Sequence, residues 1–324
     1  EKAIQTYFSE GAGAYLKERL SEPLWNDLVH FEGNANAFRI LTHRYKGRRE
    51  GGFVMTYSTL ASIVKYPFSS MFSGAHGKFG FFETEKLSFE KIADELGLLC
   101  LETQKGAVRY ARHPLVYLVE AADDICYEIM DIEDSHKLKI LSYEETMRLL
   151  LGFFDETAQN SIMSRLDSEM VTDENDRVVY LRACVIGKLV NECVSAFVVH
   201  EEQILAGSFT GGLIDHIDEL QRDAYKRCAE VSYKKIYNSK PVLDVELSGY
   251  KILETLMGQM VEAAVNPEKY QSQQLIKRVS SQYDIGAPDL ETRLMAVIDY
   301  VSGMTDVYAL DIYQKINGIS LPII

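Results

Sequence analysis

Two adjacent carboxylates interrupt an apolar helical run in the middle of the chain. The stretch LVEAADDICYEIMDIED covers residues 118–134, and helical spacing places Glu120, Asp123 and Tyr127 on one face. We expect this part of the helix to be buried, where a carboxylate is costly unless it is paired or bound to a metal. Asp123 is therefore a candidate metal ligand, with the Tyr127 phenol beside it for a substrate. The alternative is that Asp123 or Asp124 caps or pairs with a neighbouring helix.

Lysines in two loops rich in aromatic residues and glycine are candidate phosphate ligands. Lys65 stands before Tyr66 in KYP, and Lys78 lies in GKFGFF. Lysine binds phosphate as a point charge, and nearby glycines let backbone N–H groups approach an anion. The sequence contains no GxxxxGK[ST] phosphate-binding loop. A solvated loop lysine is the alternative at both positions.

Asn34 and the histidines are further polar candidates. In HFEGNANAFRIL, residues 30–41, Asn34 could cap a helix or present its amide to a sugar or a base. The seven histidines form neither an HExxH motif nor an adjacent His-Asp pair. We therefore assign no catalytic role to a histidine such as His43 or His76 from spacing alone.

Composition and charge describe an ordinary globular protein. The 324 residues are 47% hydrophobic and 25% charged. A net charge of −14 disfavours nonspecific binding to nucleic acid, although the basic cluster HRYKGRRE at residues 43–50 could still attract phosphates. Five cysteines without a CxxC pair predict reduced thiols. Because we find no signal peptide and no apolar run of about eighteen residues, we expect a soluble cytoplasmic protein with no membrane contact.

Apolar residues recur every three or four positions along most of the chain, which predicts an all-α protein of about a dozen helices. The clearest helical stretches are residues 87–99, 180–199, 244–265 and 290–304. Strand candidates at residues 77–85 and near Val116 are short, so we expect at most a small β-hairpin.

Two irregular stretches and one softer boundary organise the chain. Residues 42–58 and 64–86 are rich in glycine, aromatic and basic residues, and long segments of this kind are typically binding loops. The boundary falls near residues 237–244. We therefore predict a core at residues 1–240 that carries the loops, and a helical C-terminal region at residues 241–324 packed on it.

Several stretches together resemble one family, the bacterial deoxyguanosine triphosphate triphosphohydrolases (dGTPases), which belong to the HD-domain metal-dependent phosphohydrolases. The stretches occur in the family's order and span the whole chain. They are EKAI (1–4), FEGNANAFRILT (31–42), KYP (65–67), KFGFF (78–82), HPLVYLVEAADDICY (113–127) and DYVSGMTDVYALDIY (299–313).

The resemblance implies an HD-domain-like helical bundle and a metal ligand. Asp123 matches the family's later metal-binding aspartate, which implies a divalent cation, Mg²⁺ or Mn²⁺. Tyr127, one turn later, matches a tyrosine that contacts substrate. Glu1 matches the glutamate that ends the family's H-x-G-E turn, whose histidine is implicated in catalysis, so Glu1 is expected to support catalysis.

The resemblance also implies contacts to a nucleotide. Lys65, Tyr66 and Lys78 match positions that touch the triphosphate, and Asn34 lies in the stretch near the sugar and base. The implied reaction is metal-dependent hydrolysis of dGTP, or of a broader set of deoxynucleoside triphosphates, to a deoxynucleoside and tripolyphosphate. A homo-oligomer is implied as well, with single-stranded nucleic acid as a candidate regulator.

The sequence departs from the family at its start. The family's first histidine, its His-Asp pair and its catalytic histidine lie upstream of the glutamate that Glu1 matches. Three of the four metal ligands therefore fall outside the 324 residues. The alternative hypothesis is a catalytically silent helical module that binds nucleotide or mediates oligomerisation.

Overall fold

Residues 1–72, 77–104 and 107–320 are described by a computed structural model, and the chain divides into two compact units. Unit 1 joins Glu1–Arg112 with Val245–Ile324, and unit 2 is His113–Asp244. The sequence-based division instead set residues 241–324 apart from everything before them, and that division stays a prediction.

The described residues form fifteen α-helices and two short strands. Unit 1 begins with α1 (Lys2–Ser9), α2 (Glu22–Val29), α3 (Gly33–Thr42), α4 (Tyr57–Ile63), α5 (Lys86–Leu96), β1 (Cys100–Gln104) and β2 (Ala107–Tyr110). Unit 2 contains α6 (Val116–Lys137), α7 (Tyr143–Leu151), α8 (Glu156–Ser168), α9 (Glu174–Val199), α10 (Glu201–Leu205) and α11 (Glu219–Val231). The last four helices are α12 (Lys240–Val265), α13 (Tyr270–Arg278), α14 (Leu290–Ser302) and α15 (Asp306–Ile316).

The predicted all-α class is confirmed, and the arrangement is consistent with an HD-domain-like helical bundle. Strands β1 and β2 form one antiparallel hairpin, in which Thr103 pairs with Val108. The hairpin is not where the sequence placed its strand candidates: residues near Val116 begin α6, and residues 77–85 form no strand. Phe81 and Phe82 are both buried, so that segment lacks the alternation of a half-exposed strand.

Local signals set the ends of two helices. Asp289 caps α14, because its side chain accepts a hydrogen bond from the Thr292 N–H at 2.8 Å. Helix α5 contains Ser88 in its first turn. That helix ends at Gly97, whose φ of +65° is a left-handed conformation that glycine adopts without steric cost.

Unit 1 has two apolar clusters. The larger packs α1 and α2 with α12 and α14, and it buries one face of α1, including Tyr7 and Phe8. The smaller cluster holds α3 against α4 and α5, with Phe81 and Phe89 stacked at a centroid distance of 4.6 Å. Both clusters contain residues of α3 or of the segment just before it, so α3 is held firmly within the unit.

Unit 2 is built around the pairing of α6 with α9. Ile125, Ile129 and Ile132 on α6 belong to the same buried cluster as Leu181 and Val185 on α9. This packing leaves the opposite side of α6 outside the core. All five cysteines of the chain are free, which confirms the predicted thiols.

Candidate functional site

Three of the predicted site residues meet in unit 1 around the ammonium group of Lys78. Lys78 Nζ lies 2.5 Å from Glu32 Oε1 and 3.7 Å from Glu1 Oε2. The other Glu32 oxygen accepts hydrogen bonds from the Asn34 backbone N–H at 2.7 Å and from its side-chain amide at 2.8 Å. Glu1, Asn34 and Lys78 thus form one cluster with Glu32 at its centre.

Glu32 is the residue of this cluster that sequence reasoning missed. It is 1% exposed and caps α3, a role considered for Asn34, which instead lies within the first turn. A buried carboxylate requires a cation or several hydrogen-bond donors, and Glu32 has both. The signal was present in FEGN, where an acid directly precedes the glycine that opens the helix.

A glycine allows Glu1 to reach the start of α3. The Gly33 N–H donates to Glu1 Oε1 at 2.9 Å, and a Cβ at Gly33 would lie only 2.7 Å from the same oxygen. Any larger residue would displace the Glu1 carboxylate. The arrangement supports Glu1 as a positioning group for the Lys78 cluster.

A second glycine brings the KYP segment beside the segment that carries Lys78. The Gly80 N–H donates to the Phe68 carbonyl at 3.0 Å, and a Cβ at Gly80 would lie 2.2 Å from the Tyr66 carbonyl oxygen. The two backbones therefore approach more closely than any side chain permits. Lys65 is half-buried, with its Nζ 5.9 Å from the centroid of the Tyr66 ring.

The charge of Lys78 is stabilised by its neighbours. Partial burial works to lower the pKa of Lys78, but the hydrogen bond and charge of Glu32, followed by the charges of Glu1 and Tyr66, outweigh it and raise the pKa. An ammonium group has three donors, so Lys78 can hold Glu32 and still contact a phosphate oxygen. The cluster is suited to an anionic ligand on the Lys78 side.

A buried ion network lies at the other end of α3. Arg39 is 3% exposed and donates to Asp299 through Nε at 2.7 Å and Nη2 at 2.8 Å. Its Nη1 donates to Glu85 at 2.5 Å and to Thr84 Oγ1 at 3.1 Å. The network ties α3 to α14 and to the start of α5, and it fixes the helix whose first turn carries Asn34. Sequence reasoning missed this role, although a lone arginine in the apolar run FRIL was a signal.

The network keeps Glu85 ionised. Burial works to raise the pKa of Glu85, but the hydrogen bond from His43 and the charge of Arg39 outweigh it and lower the pKa. His43 Nδ1 lies 3.5 Å from Glu85 Oε1. We infer that this His43, which spacing left without a catalytic role, contributes to the network at the end of α3.

The remaining two predicted site residues lie on α6 in unit 2. Asp123 is exposed and Tyr127 is 68% exposed, so the expectation that this part of the helix is buried is wrong. The buried face of α6 carries Ile125 and Ile129, which at about 100° per residue lie a third to nearly half of a turn from Asp123 and Tyr127 in projection. Helical spacing alone does not say which face meets the core. Asp123 and Tyr127 do share an exposed face, as predicted, and Glu120 beside them is half-buried.

Buried contacts on the other side of α6 fix its rotation. The Tyr225 hydroxyl donates to the Asp124 carbonyl at 3.1 Å, and the Ser232 hydroxyl donates to Glu128 Oε1 at 2.6 Å. Ser232 opens a π-helical turn, Ser232–Ile236, which follows α11. These contacts hold Asp123 and Tyr127 outward on a rigid helix.

The described residues do not by themselves complete a metal site. Across residues 1–72, 77–104 and 107–320, no three side chains of His, Cys, Asp or Glu are grouped as a cation would require. Asp123 supplies one carboxylate donor. His76 lies outside the described residues. Within the same ranges, no helix combines the length and the apolar character needed to cross a membrane.

Comparison with known sequences finds similarity along the entire chain. The profile of a family described as "Phosphohydrolase-associated domain" matches residues 217–315. A "Deoxyguanosinetriphosphate triphosphohydrolase-like protein" of Pseudomonas aeruginosa is 33% identical over 335 aligned residues, which cover 99% of this chain and 73% of the relative. A protein of the same name from Synechocystis is 31% identical, with the same coverage.

A relative with the shorter name is more distant. The "Deoxyguanosinetriphosphate triphosphohydrolase" of Yersinia enterocolitica is 25% identical, and the alignment covers 92% of this chain and 65% of that protein. The alignments with the first two relatives therefore span both units.

Proposed function

The chain belongs to the family of deoxyguanosinetriphosphate triphosphohydrolase-like proteins, and from this premise we propose that it is the greater part of a deoxynucleoside triphosphate triphosphohydrolase. The proposed substrate is dGTP, and other deoxynucleoside triphosphates are alternative substrates. Hydrolysis at the α-phosphorus releases a deoxynucleoside and intact tripolyphosphate. The proposal extends to a homo-oligomer and to single-stranded nucleic acid as a candidate regulator.

The observation that carries the proposal is the cluster around Lys78. It brings together Glu1, Asn34 and Lys78, and Tyr66 is close enough to help raise the pKa of Lys78. In the proposed complex, Lys78, Lys65 and Tyr66 contact the triphosphate. Cations near the transferring phosphorus stabilise the charge that develops on its oxygens. Asn34 faces the sugar or base, with its amide oriented by Glu32.

The second half of the proposal concerns the exposed face of α6. Asp123 is assigned as one ligand to a divalent cation, Mg²⁺ or Mn²⁺, and Tyr127 as a contact to substrate. The family resemblance implies further donors to this cation. The described side chains do not complete the site of this cation by themselves.

Product analysis tests the reaction. The full-length protein is incubated with dGTP and Mg²⁺ or Mn²⁺, and the phosphorus products are identified by ³¹P NMR. Release of tripolyphosphate with deoxyguanosine is the expected result. Release of pyrophosphate or orthophosphate instead would contradict cleavage of the bond between the α-phosphorus and the 5′-oxygen, and parallel reactions with the other three deoxynucleotides rank the substrates.

A matched pair of variants on α6 tests the assignment of Asp123. Asp123→Asn is expected to abolish metal-dependent turnover while it leaves the unfolding transition unchanged, because the side chain is exposed. Asp134→Asn removes another exposed carboxylate from the same helix and is expected to keep full activity. Wild-type turnover in Asp123→Asn would refute the assignment.

The alternative is a catalytically silent module that binds nucleotide or mediates oligomerisation. The observation in its favour is that no three-donor group occurs within the residues that the structure describes. Metal content separates the two hypotheses. Mn²⁺ that stays bound to the full-length protein through gel filtration, and is lost in Asp123→Asn, supports the hydrolase, whereas protein without metal and without turnover supports the silent module.

A further inference from the structure

The C-terminal end of α11 departs from α-helical geometry. The helix runs without a break into the π-helical turn, Ser232–Ile236. The Tyr237 N–H donates to the Ser232 carbonyl at 3.0 Å, five residues back along the chain, whereas an α-helix bonds four residues back. Turns of this kind are rare, and they occur frequently at functional sites. The proposed hydrolysis leaves this turn without a role.

Side chains from both ends of the turn reach the same helix, α6. The Ser232 hydroxyl donates to Glu128 Oε1 at 2.6 Å, and the Tyr237 hydroxyl donates to Asp131 Oδ2 at 2.7 Å. In an α-helix, two residues five positions apart point about 140° away from each other, since each residue turns the chain by about 100°. The wider π turn is therefore what lets Ser232 and Tyr237 contact one helix.

The contact between Ser232 and Glu128 is buried. Ser232 is 0% exposed and Glu128 is 9% exposed. Burial raises the pKa of Glu128, although the hydrogen bond from Ser232 works to lower it. Among the described residues, no Lys, Arg or His lies within 4.0 Å of the Glu128 carboxylate. Because a buried acceptor that loses its donor costs free energy, this hydrogen bond holds Glu128 and the surrounding part of α6 against the turn.

The middle of the turn is anchored elsewhere in unit 2. Lys235 Nζ donates to both carboxylate oxygens of Glu145 on α7, at 2.7 and 2.9 Å. Ile236 is buried in the apolar cluster of unit 2. The turn is therefore fixed to α7 and to the core, and it provides a rigid reference against which α6 is aligned.

Tyr127 depends on this alignment because it lies on the exposed side of α6. It directly precedes Glu128, and its side chain is 68% exposed, so few neighbouring groups restrain it. Burial, followed by the hydrogen bond to Asp131, raises the pKa of Tyr237, and Tyr127 is close enough to add to that shift. A rotation of α6 by about 10° would move a side chain that lies about 6 Å from the helix axis by roughly 1 Å. A displacement of that size can reduce turnover about 100-fold.

We propose that the π-helical turn is a positioning element, which sets the rotation of α6 through the hydrogen bond between Ser232 and Glu128 and so places the Tyr127 phenol against the substrate. The inference rests on the proposed function, in which Tyr127 contacts the deoxynucleotide. Ser232 and Glu128 are buried, so they act on the substrate only through α6 and are positioning residues.

Binding of dGTP, measured by isothermal titration calorimetry without divalent metal, tests the role of Ser232. In the full-length protein, Ser232→Ala is expected to weaken binding by roughly tenfold, because the helix that carries Tyr127 loses its alignment. Glu128→Gln keeps an acceptor for the Ser232 hydroxyl and should bind as the wild type does. The control Thr146→Val removes another buried hydroxyl of unit 2, which donates to the Ser142 carbonyl, and should leave dGTP binding unchanged.

A double-mutant cycle with Tyr127→Ala separates a positioning role from a general loss of stability. If Ser232 acts through Tyr127, the loss of affinity caused by Ser232→Ala disappears in the Tyr127→Ala background, where no phenol remains to be placed. A general loss of stability would instead reduce binding by the same factor in both backgrounds. That result, or wild-type affinity in Ser232→Ala, would overturn the proposal.

A second variant removes the same contact without leaving Glu128 unpaired. If Ser232→Ala does not fold, Ser232→Ala/Glu128→Met replaces it, and this variant should show the same loss of affinity and the same dependence on Tyr127. If Tyr127→Ala binds dGTP as tightly as the wild type, the proposed contact of Tyr127 is wrong and the inference fails with it. Weakened binding in Tyr127→Ala, together with wild-type binding in Ser232→Ala, refutes the inference alone. The hydrolysis itself is tested separately by its products.

Discussion

Glu32 in unit 1 and Asp123 in unit 2, the two carboxylates most important for the proposed function, are in opposite environments. In unit 1, Glu32 is almost fully buried and is paired with Lys78. In unit 2, Asp123 is exposed on α6, with Tyr127 exposed beside it. A buried carboxylate keeps its charge only next to a cation or several donors, whereas an exposed one needs neither. Spacing identifies which residues share a face, but the packing of the whole unit decides whether that face is covered.

One ion-paired arginine from each unit shows the same contrast. Arg39 is buried with Glu85 and Asp299, whereas Arg165 in unit 2 pairs with Glu169 at 3.0 Å on the surface. A buried charge that loses its partner has no water to replace it. The stability of the protein should therefore depend on Arg39 far more than on Arg165.

Removal of Arg39 tests this contrast with the largest expected effect. Arg39→Ala leaves two buried carboxylates without their shared cation and should lower the free energy of unfolding by about 3–5 kcal/mol. Urea denaturation followed by circular dichroism measures the loss. Arg165→Ala, which breaks an exposed pair, should leave the transition unchanged. Equal effects of the two substitutions would mean that burial does not distinguish these ion pairs.

Two glycines extend the comparison from charge to packing. Gly80→Ala would place a Cβ 2.2 Å from the Tyr66 carbonyl oxygen, so the KYP segment must move, at a cost of about 1–3 kcal/mol. Gly187 lies within α9 in unit 2, and a Cβ there meets nothing within 4 Å. Gly187→Ala should therefore raise stability by about 0.5–1 kcal/mol, because alanine favours the helix.

Binding measurements on the same pair link packing to the candidate site. Since Gly80 positions Lys65 and Tyr66, Gly80→Ala should also weaken dGTP binding, measured by calorimetry without metal. Gly187→Ala should leave it unchanged. If Gly80→Ala bound dGTP normally, the close approach of the two segments would have no role in positioning the phosphate contacts.

The fold was predictable from local signals, and the errors fall where tertiary packing decides. Apolar spacing gave the ends of α9 at Val199 and α12 at Val265, because an amphipathic helix carries its pattern along its own length. The hairpin at residues 100–110 was missed, since strand pairing depends on a partner and the candidate at residues 77–85 has none.

The sequence predicted which residues belong to the site, but not how they contact one another. Family resemblance selected Glu1, Asn34 and Lys78, and the structure brings them together, although their roles stay predictions. Glu32, which links them, was not selected, because a buried acid is recognisable only once its burial is known. The same holds for Asp123, whose exposure depends on which side of α6 meets α9.

Asp27 is a buried carboxyl of unit 1 with no cation beside it. Its substitution by asparagine has the smallest expected effect on stability at neutral pH. It is 1% exposed on α2, and within the described residues no Lys, Arg or His lies within 4.0 Å of it. Burial raises its pKa from the usual 3.8 to about 8, although hydrogen bonds from Ser70 and the Glu83 N–H work to lower it. Asp27 is therefore protonated at neutral pH, where Asp27→Asn replaces one neutral group with another.

The pH dependence of stability distinguishes this state from an ionised one. Because the folded protein holds a proton that the unfolded chain releases near pH 3.8, the contribution of Asp27 is fully present below that pH and is lost as pH rises to about 8. We expect the unfolding free energy of the wild type, relative to Asp27→Asn, to fall across this range and to level off above it. A constant gap between wild type and Asp27→Asn from pH 4 to pH 8 would mean that Asp27 is ionised when folded, and that burial without a cation is not what sets its charge.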